Sequence, residues 1–176
     1  MERPTADGYR VRGWTAEAPQ EVLVSYARAR RAIFDAPKGG ITWNAPEWTP
    51  ERIRAEEAAY LAADVEQRTV VAVHEATGDV AGLTELIIRP GQPDHGRQLD
   101  TAVLNEHRGH GLARAIKAAM MRRLVRERPD IVRISTQTAA DNVHMATVNH
   151  QIGYRTLWTH YYFEADLEVL KERLRT

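Results

Sequence analysis

The chain has 176 residues, with 24 basic and 24 acidic side chains and no cysteine. This length predicts one domain, and the lack of cysteine excludes disulfides, thiolate metal sites and a cysteine nucleophile. Balanced charge gives no overall field that would favour nucleic acid or an acidic membrane surface, so we expect neither partner. The first residues lack the apolar stretch of a signal peptide, and no segment is apolar enough to span a bilayer, which predicts a cytoplasmic protein.

The first third of the chain predicts one strand and two helices. Alternating side chains indicate a strand at Tyr9–Trp14, and helical spacing of apolar residues indicates a helix over about Pro19–Phe34. The stretch Asp35–Trp48 is irregular and rich in Pro, Gly and Trp. The segment Thr49–Val65 opens with a Thr-Pro pair, typical of an N-cap followed by the first helical residue, and predicts a second helix.

The rest of the chain predicts a hairpin followed by further strands and helices. The turn Ala76–Asp79 separates two strand-like runs and is typical of a β-hairpin, and a loop at Pro90–Pro93 leads to the next strand. The order of elements indicates an α/β fold with a mixed sheet. The predicted elements are strands at Thr69–Glu75, Val80–Arg89 and Arg97–Asn105, a long helix at Gly109–Arg128, a strand at Val132–Thr138, a helix from Asp141 or Asn142 to Ile152, a strand after Tyr154 and a terminal helix at about Leu167–Arg175.

The turn before the long helix carries the strongest functional signal. It reads Arg-Gly-His-Gly-Leu-Ala at Arg108–Ala113, between an apolar strand and the helix. Glycines let the main chain approach a ligand closely, and the first N–H groups of a helix have no partners within it. Because the helix dipole adds partial positive charge at the same place, the turn predicts a pyrophosphate site. An ordinary loop-to-helix turn can have the same sequence, so the choice between a pyrophosphate site and an ordinary turn depends on the surrounding sequence.

Two motifs in order supply that context. The turn matches the pattern (R/Q)-x-x-G-x-(G/A) after the third strand of an antiparallel run, and N-x-x-M-x-x-x-N-x-x-x-G-Y follows at Asn142–Tyr154. Together they resemble the GNAT N-acetyltransferase superfamily over about Tyr9–Leu167. The chain looks closest to the actinobacterial group whose members often carry two such domains in tandem.

The resemblance implies a fold and a co-substrate. The fold would be α/β, with a mixed, mostly antiparallel central sheet flanked by helices on both faces. Residues 1–176 would form a single domain, with its core at about 9–167 and a helical tail at 168–176. Acetyl-CoA would be the co-substrate. His107 and His110 flank the turn, but no carboxylate cluster completes a ligand set there, so we expect no metal.

The resemblance also implies where acetyl-CoA binds. In the family, the strand before the turn splays from its neighbour and holds the pantetheine arm in the gap. Asn142 would bond this arm, with capping of its own helix as an equal alternative. The remaining implied contacts are Ala102, Val103 and Leu104 on the strand, and Arg108, Gly109, His110, Gly111, Leu112 and Ala113 at the pyrophosphate.

Acyl transfer to an amine requires a base, because a free alkylamine has a pKa near ~10. Glu85 and Asp100 are the candidates, and apolar surroundings would raise the pKa of either carboxyl group. Glu85 is expected to share a strand face with Ala81, Leu83 and Ile87. Asp100 lies just upstream of the expected thioester position. A salt bridge or a solvent-facing strand end is the alternative for each.

The acid that protonates the leaving thiolate has no clear candidate. Many family members place a tyrosine seven residues after the helix-opening asparagine, and here that position is Asn149. Asn149 is not a general acid, but it can hydrogen-bond the sulfur or the carbonyl. Tyr154, Tyr161 and Tyr162 are substitutes, although tyrosines at a strand start are more often core residues. Departure without an acid, or protonation by water, is the alternative.

These observations predict an acetyl-CoA-dependent N-acetyltransferase. The acetyl group would pass directly to a primary amine of a small molecule, such as an amino-acid derivative or an antibiotic, with the Val103 amide as oxyanion donor. Asp35, Trp43 and Trp48 would hold the cationic amine, with simple packing of the tryptophans as the alternative. The other functional hypotheses are a CoA-binding regulatory module without turnover and an acyltransferase that uses a longer acyl-CoA. The tandem relatives suggest a homodimer.

Overall fold

The computed structural model describes residues 6–35, 46–161 and 163–175. Short 3-10 turns lie at Gln20–Val22, Ala32–Asp35 and Asn105–His107. The strands are β1 (Tyr9–Thr15), β2 (Glu66–His74), β3 (Val80–Arg89), β4 (Gln92–Val103) and β5 (Arg133–Ser135). The helices are α1 (Leu23–Arg31), α2 (Pro50–Ala62), α3 (Leu112–Glu127), α4 (Val143–Gln151) and α5 (Leu167–Arg173).

The described strands form one sheet in the order β1-β2-β3-β4-β5. Neighbouring strands are antiparallel from β1 to β4, whereas β5 is parallel to β4. Parallel pairing requires a crossover, and α3 supplies it between β4 and β5. The mixed, mostly antiparallel sheet that the sequence predicts is confirmed.

Helices cover both faces of the sheet and divide the interior into two cores. On one face α1 and α2 pack against the strands, with Tyr26 and Ile53 buried against Val71. On the other face α3 packs, with Ile116 buried against Val70. Because side chains alternate along a strand, neighbouring residues of β2 belong to different cores.

A β-bulge interrupts the pairing of β3 with β4 in the middle of the sheet. The register shifts by one residue after Thr84, so that Leu99 and Asp100 together oppose Glu85. Bulges bend a strand and redirect its side chains. As a result Asp100 lies on the α1 face, and β4 turns away from β5 just after the last pair that joins them.

A second irregularity changes one predicted face. The register of β2 against β3 shifts between Ala72 and Val73, so that Val80 and Leu83 lie in the α1 core whereas Ala81 lies in the α3 core. The prediction that Ala81 shares the face of Glu85 is therefore wrong.

Several predicted boundaries are confirmed and others move. Thr49 caps α2, since its Oγ1 accepts a hydrogen bond from the Arg52 amide at 3.2 Å. The helix ends at Ala62 rather than at Val65, because Asp64 takes a φ of 54°, which a continuing helix does not allow. The predicted loop at Pro90–Pro93 is instead a tight turn, and β4 already begins at Gln92.

The segment after α4 differs most from the prediction. No strand follows Tyr154 in residues 155–161 or 163–166, and β5 is confined to Arg133–Ser135 instead of Val132–Thr138. The β4 bulge explains the short β5, because it carries β4 away after three pairs. The predicted terminal helix is confirmed as α5, and its residues are exposed. Among the described helices, none has the length and apolar character needed to cross a membrane.

Candidate active site

The glycine turn presents bare backbone at the start of α3. Gly109 and Gly111 have φ values of 84° and 70°, and a Cβ on either would meet nothing within 4 Å. Ala115 is the residue whose amide bonds back to the Gly111 carbonyl, at 3.1 Å. The amides of Leu112 and Ala113 precede that bond, so they remain available for an anion in the open space before the helix.

Beyond the bulge, β4 has no strand partner on the β5 side among the residues that the structure describes, and this side is called the open edge. The ladder with β5 joins only His95, Gly96 and Arg97 to their partners. The Leu104 amide donates to the Ala81 carbonyl on β3 at 3.0 Å, so the peptide groups of Val103 and Thr101 point the other way. The Val103 carbonyl already accepts a hydrogen bond from Arg108 Nε at 3.2 Å. Of the predicted strand contacts, Val103 therefore offers its N–H group to a ligand, whereas the Leu104 amide is already bonded.

Glu85 forms the centre of a buried polar cluster on the α1 face. It is 0% exposed, accepts a hydrogen bond from the Tyr26 hydroxyl and lies 3.2 Å from a guanidinium nitrogen of Arg30. Burial raises the pKa of Glu85 to about 7, although Arg30 and Tyr26 oppose that rise. Arg30 also pairs with Glu56 on α2. The predicted salt-bridge alternative for Glu85 is thus present, together with the predicted perturbation of its pKa.

Asp100 lies beside this cluster and is partly accessible. Burial raises its pKa above the usual aspartate range, and the carboxylate of Glu56 acts in the same direction while Arg30 opposes it. Asp100 in turn contributes to the raised pKa of Glu85. Of the two predicted bases, Asp100 is the one that a ligand in the opening can reach.

Asn149 directs an unused hydrogen-bond acceptor into the interior. It is 6% exposed, its amide nitrogen donates to the Thr138 hydroxyl at 3.1 Å, and its Oδ1 has no partner among the described residues. A buried acceptor without a partner is costly, and a ligand N–H or S–H would satisfy it. Asn142 caps α4, since its Oδ1 accepts from the Met145 amide at 3.1 Å.

The tyrosines considered as substitutes for the acid occupy other places. The Tyr154 hydroxyl donates to Gln98 at 2.7 Å on the α3 face, and burial raises its pKa, which makes it a weaker acid. Tyr161 is 83% exposed. Tyr162 lies outside the described residues. Neither described tyrosine therefore replaces the missing acid.

Three histidines and a tyrosine pack beneath the glycine turn. The Tyr9 hydroxyl lies 2.9 Å from His107 Nδ1, and the rings of His74 and His107 are 5.1 Å apart. His110 makes its own hydrogen bond to the Arg108 carbonyl at 3.0 Å. These hydrogen bonds and ring contacts fix the approach to the turn.

The predicted amine-binding residues are only partly described. Trp43 lies outside the described residues. Trp48 packs on the α1 core with the Arg30 guanidinium 3.5 Å from its ring centre, so that ring face already holds a cation. Asp35 is exposed at the end of a 3-10 turn. Packing, the stated alternative, is what the structure shows for Trp48.

Sequence reasoning missed the partners of Glu85. In the sequence, Tyr26 is one of the apolar residues whose spacing predicts the first helix, and Arg30 is not part of that pattern. Arg30 follows Tyr26 by four residues, so both lie on the helix face that packs on the sheet. The available signal was Arg30 itself, because a charged side chain on a buried helix face requires an oppositely charged partner such as a carboxylate on the strand beneath.

The family assignment follows from a comparison with protein-family models. The model described as the acetyltransferase (GNAT) family matches residues 37–169. The chain belongs to the GNAT acetyltransferase family. The GNAT family is a family of acyltransferases that use acetyl-CoA. No curated protein matches the chain at a significant level.

Solved structures share this GNAT fold. A tandem GNAT protein from the clavulanic acid biosynthesis pathway is 27% identical with a TM-score of 0.70, covering 86% of this chain and 43% of that one. The chain thus spans less than half of that tandem protein. The aminoglycoside N-acetyltransferase AAC(6')-Iy, bound to a bisubstrate analogue, is 16% identical with a TM-score of 0.63, covering 90% and 98%. An acetyltransferase of Trypanosoma brucei is 17% identical with a TM-score of 0.59, covering 89% and 99%.

Proposed function

We propose that this chain is an acetyl-CoA-dependent N-acetyltransferase that acetylates a primary amine of a small molecule directly. The observation that carries the proposal is the open edge of β4. This edge lies between the glycine turn and the carboxyl groups of Glu85, Asp100 and Glu56, which are called the acidic cluster. A donor bound along that edge and an amine beside Asp100 would meet at the same stretch of strand.

The residues around the open edge fit acetyl-CoA. The uncovered backbone at Gly109 and Gly111 suits a pyrophosphate, and the Thr101 peptide group with the Val103 N–H suits an amide-bearing arm. The Asn149 acceptor lacks a partner among the described residues. When bound, acetyl-CoA supplies a thioester carbonyl that is open to attack. The Val103 N–H would donate to the carbonyl oxygen and stabilise the negative charge that develops there.

Asp100 is the proposed base. A general base must reach the proton that it removes, and Asp100 is partly accessible whereas Glu85 is fully buried. We assign Glu85 a positioning role, since it holds Arg30 and Tyr26 beneath Asp100. Asn149 offers only an acceptor, so the proton for the leaving thiol is assigned to water.

Binding of acetyl-CoA to a substituted turn tests the site. Gly111→Trp places a bulky side chain in the open space of the turn, and we expect it to abolish binding measured by calorimetry. Gly78→Trp is the matched control, because Gly78 has a similar φ of 77° and equally open surroundings but lies in the β2–β3 hairpin. Equal affinity in both variants would contradict the assigned pyrophosphate site.

Turnover distinguishes the enzyme from a binding module. We expect thiol release from acetyl-CoA with at least one member of a broad panel of primary amines. Tight binding of CoA without thiol release for any amine would favour the regulatory module. A module without turnover needs no general acid, so Asn149 at that position would not impair it. Faster release from a longer acyl-CoA than from acetyl-CoA would redirect the assignment to that donor.

A further inference from the structure

A groove of about 350 Å³ lies on the sheet face at the β3–β4 hairpin. It is lined by Ile87, Arg89, Gln92, His95, Arg97 and Ser135.

The groove is on the same face of the sheet as the acidic cluster. Ile87 follows Glu85 by two residues and therefore points to the same side. Arg97 pairs with Ile87 across the strands, and Ser135 pairs with Arg97. Arg97 and Ser135 are also the last residues that join β4 to β5 before the open edge begins. The groove thus runs from the hairpin up to the proposed reaction centre.

Two cationic side chains in the groove lack acidic partners. Arg89 and Arg97 are exposed, and neither forms an ion pair with any residue that the structure describes. His95 Nε2 lies 2.9 Å from Ser135 Oγ, and His95 Nδ1 lies 3.2 Å from Gln92 Oε1. These hydrogen bonds hold the His95 ring in place in the groove. An arginine pair of this kind favours an anion with two oxygens in one plane.

The Arg89 charge acts on the helix side of the sheet. Burial raises the pKa of Tyr60 on α2, and the charges of Arg30 and Arg89 oppose that rise. Arg89 therefore shares a space with α2 and with the acidic cluster. The two ends of the face differ in their charges. Asp100, Glu85 and Glu56 lie at one end around the single cation Arg30, whereas the two exposed arginines lie at the other.

The spacing of the two ends sets the length of a ligand that reaches both. Strand residues rise about 3.3 Å each, so the Ile87–Arg97 pair lies roughly 7 Å and Arg89 roughly 13 Å from Glu85 along β3. A molecule with an amine at one end and an anion roughly 7–13 Å away would match both ends.

We propose that this groove, called the arginine groove, binds a carboxylate or phosphate carried by the acyl acceptor. The acceptor is then a zwitterionic or amino-anionic molecule rather than a polycation. Arg89 and Arg97 hold its anionic group, which directs the amine towards Asp100. This assignment rests on the proposed acetyltransferase function and adds the class of acceptor to it.

Matched acceptors test the arginine groove. Thiol release from acetyl-CoA is measured with aminooctanoate, with an aminoalkyl phosphate of the same length and with octylamine. We expect both anionic acceptors to have a lower KM than octylamine, and the lower of the two identifies the preferred anion. Equal KM values for all three in the unaltered protein would overturn the inference while leaving the acetyltransferase assignment intact.

Substitution of the arginines locates the effect. The double variant Arg89→Gln/Arg97→Gln should raise KM for the anionic acceptors by about tenfold or more and leave KM for octylamine unchanged, since each lost charged hydrogen bond is worth about 1.5–3 kcal/mol. Arg122→Gln removes an exposed positive charge on α3 and serves as the control. An equal rise of KM for octylamine would show general damage and contradict the groove.

Direct binding decides the question if no acceptor is turned over. Aminooctanoate is titrated into the full chain in the presence of CoA and followed by calorimetry. Binding that is lost in the double variant supports the arginine groove even though the proposed activity has failed. Absence of binding to the unaltered chain overturns it.

Discussion

Glu85 is an ionisable group placed inside a core, and its protonation is coupled to stability. Burial raises its pKa from an ordinary 4.5 to about 7, so the folded state binds this proton more tightly than the unfolded state does. The stabilisation is complete below about pH 4.5 and is lost as the pH rises through 7. We expect the free energy of unfolding to fall by up to about 3 kcal/mol between pH 5 and pH 8 from this group. Urea denaturation across that range measures it.

Glu85→Gln isolates the contribution of this carboxyl group to the pH dependence of stability. Glutamine keeps an oxygen for the Tyr26 hydroxyl but carries no titratable proton. The variant should show a smaller decrease of stability from pH 5 to pH 8 than the unaltered chain. Parallel curves for the two proteins would contradict the raised pKa of Glu85.

Asp100 should matter for rate rather than for folding. Asp100→Asn removes the proposed base, and loss of a general base lowers turnover by about 10²–10⁴-fold. Steady-state thiol release at saturating acetyl-CoA measures kcat, and calorimetry checks that the affinity for acetyl-CoA is retained. Asp79→Asn, in the exposed β2–β3 turn, is the control. If Asp100→Asn keeps full kcat while Glu85→Gln loses it, the two roles must be exchanged.

Single residues were predictable from the sequence where the chemistry is local. The Thr49 cap depends only on neighbours in the chain, and it is confirmed. The environment of Glu85 depends on α1, which lies 59 residues earlier at Tyr26. Strand alternation located the carboxyl group on a buried face, but it contained no information about which helix would cover it.

At the scale of elements, the contact between β3 and β4 sets the geometry of the open edge. Gly82 pairs with Val103, and a Cβ at Gly82 would lie 3.0 Å from the Ala102 carbonyl oxygen and from a Val103 methyl. Gly82→Ala should push the end of β4 outward, costing about 1–3 kcal/mol of stability and weakening acetyl-CoA binding. Thermal unfolding and calorimetry measure the two effects.

Gly91→Ala is the matched control for this element. Gly91 lies in the β3–β4 turn, and an added Cβ meets nothing within 4 Å. It should leave the affinity for acetyl-CoA unchanged. If both alanine variants bind alike, the close approach at Gly82 does not control the open edge.

Elements with strong local signals were predicted, and those that depend on tertiary pairing were not. β1, the β2–β3 hairpin, α3 and α4 follow from periodicity, turns and caps. The bulge opposite Glu85 has no sequence signature, because it is defined by the register between two strands. The strand expected after Tyr154 requires pairing with another strand, and residues 155–161 and 163–166 form no such pairing.

At the scale of the whole molecule, the segment after α4 exposes apolar side chains that would favour association. Leu157, Trp158, Tyr161 and Phe163 are 79%, 70%, 83% and 89% exposed. If each copy buried this segment on the other, the interface would cover on the order of 2,000 Å² of surface, a size typical of homodimers. We therefore expect a homodimer, in which the strand predicted after Tyr154 forms against the edge of the partner.

Light scattering coupled to size-exclusion chromatography tests the dimer. The unaltered chain should elute with twice the monomer mass, and Trp158→Lys/Phe163→Lys should elute as a monomer. Val24→Lys, which alters an exposed valine on α1, should leave the mass unchanged. A monomer at all concentrations of the unaltered chain would contradict the association.

The division of the interior into two cores has a consequence for how such a domain can diverge. The glycine turn continues into α3 on one face, whereas the acidic cluster and the arginine groove lie on the other. In the proposed reaction, the sheet would separate the donor side from the acceptor side, and the reactants would meet at the open edge. Substitutions on one side can thus alter acceptor preference while the donor side keeps its sequence, so new specificities become accessible without loss of the chemistry.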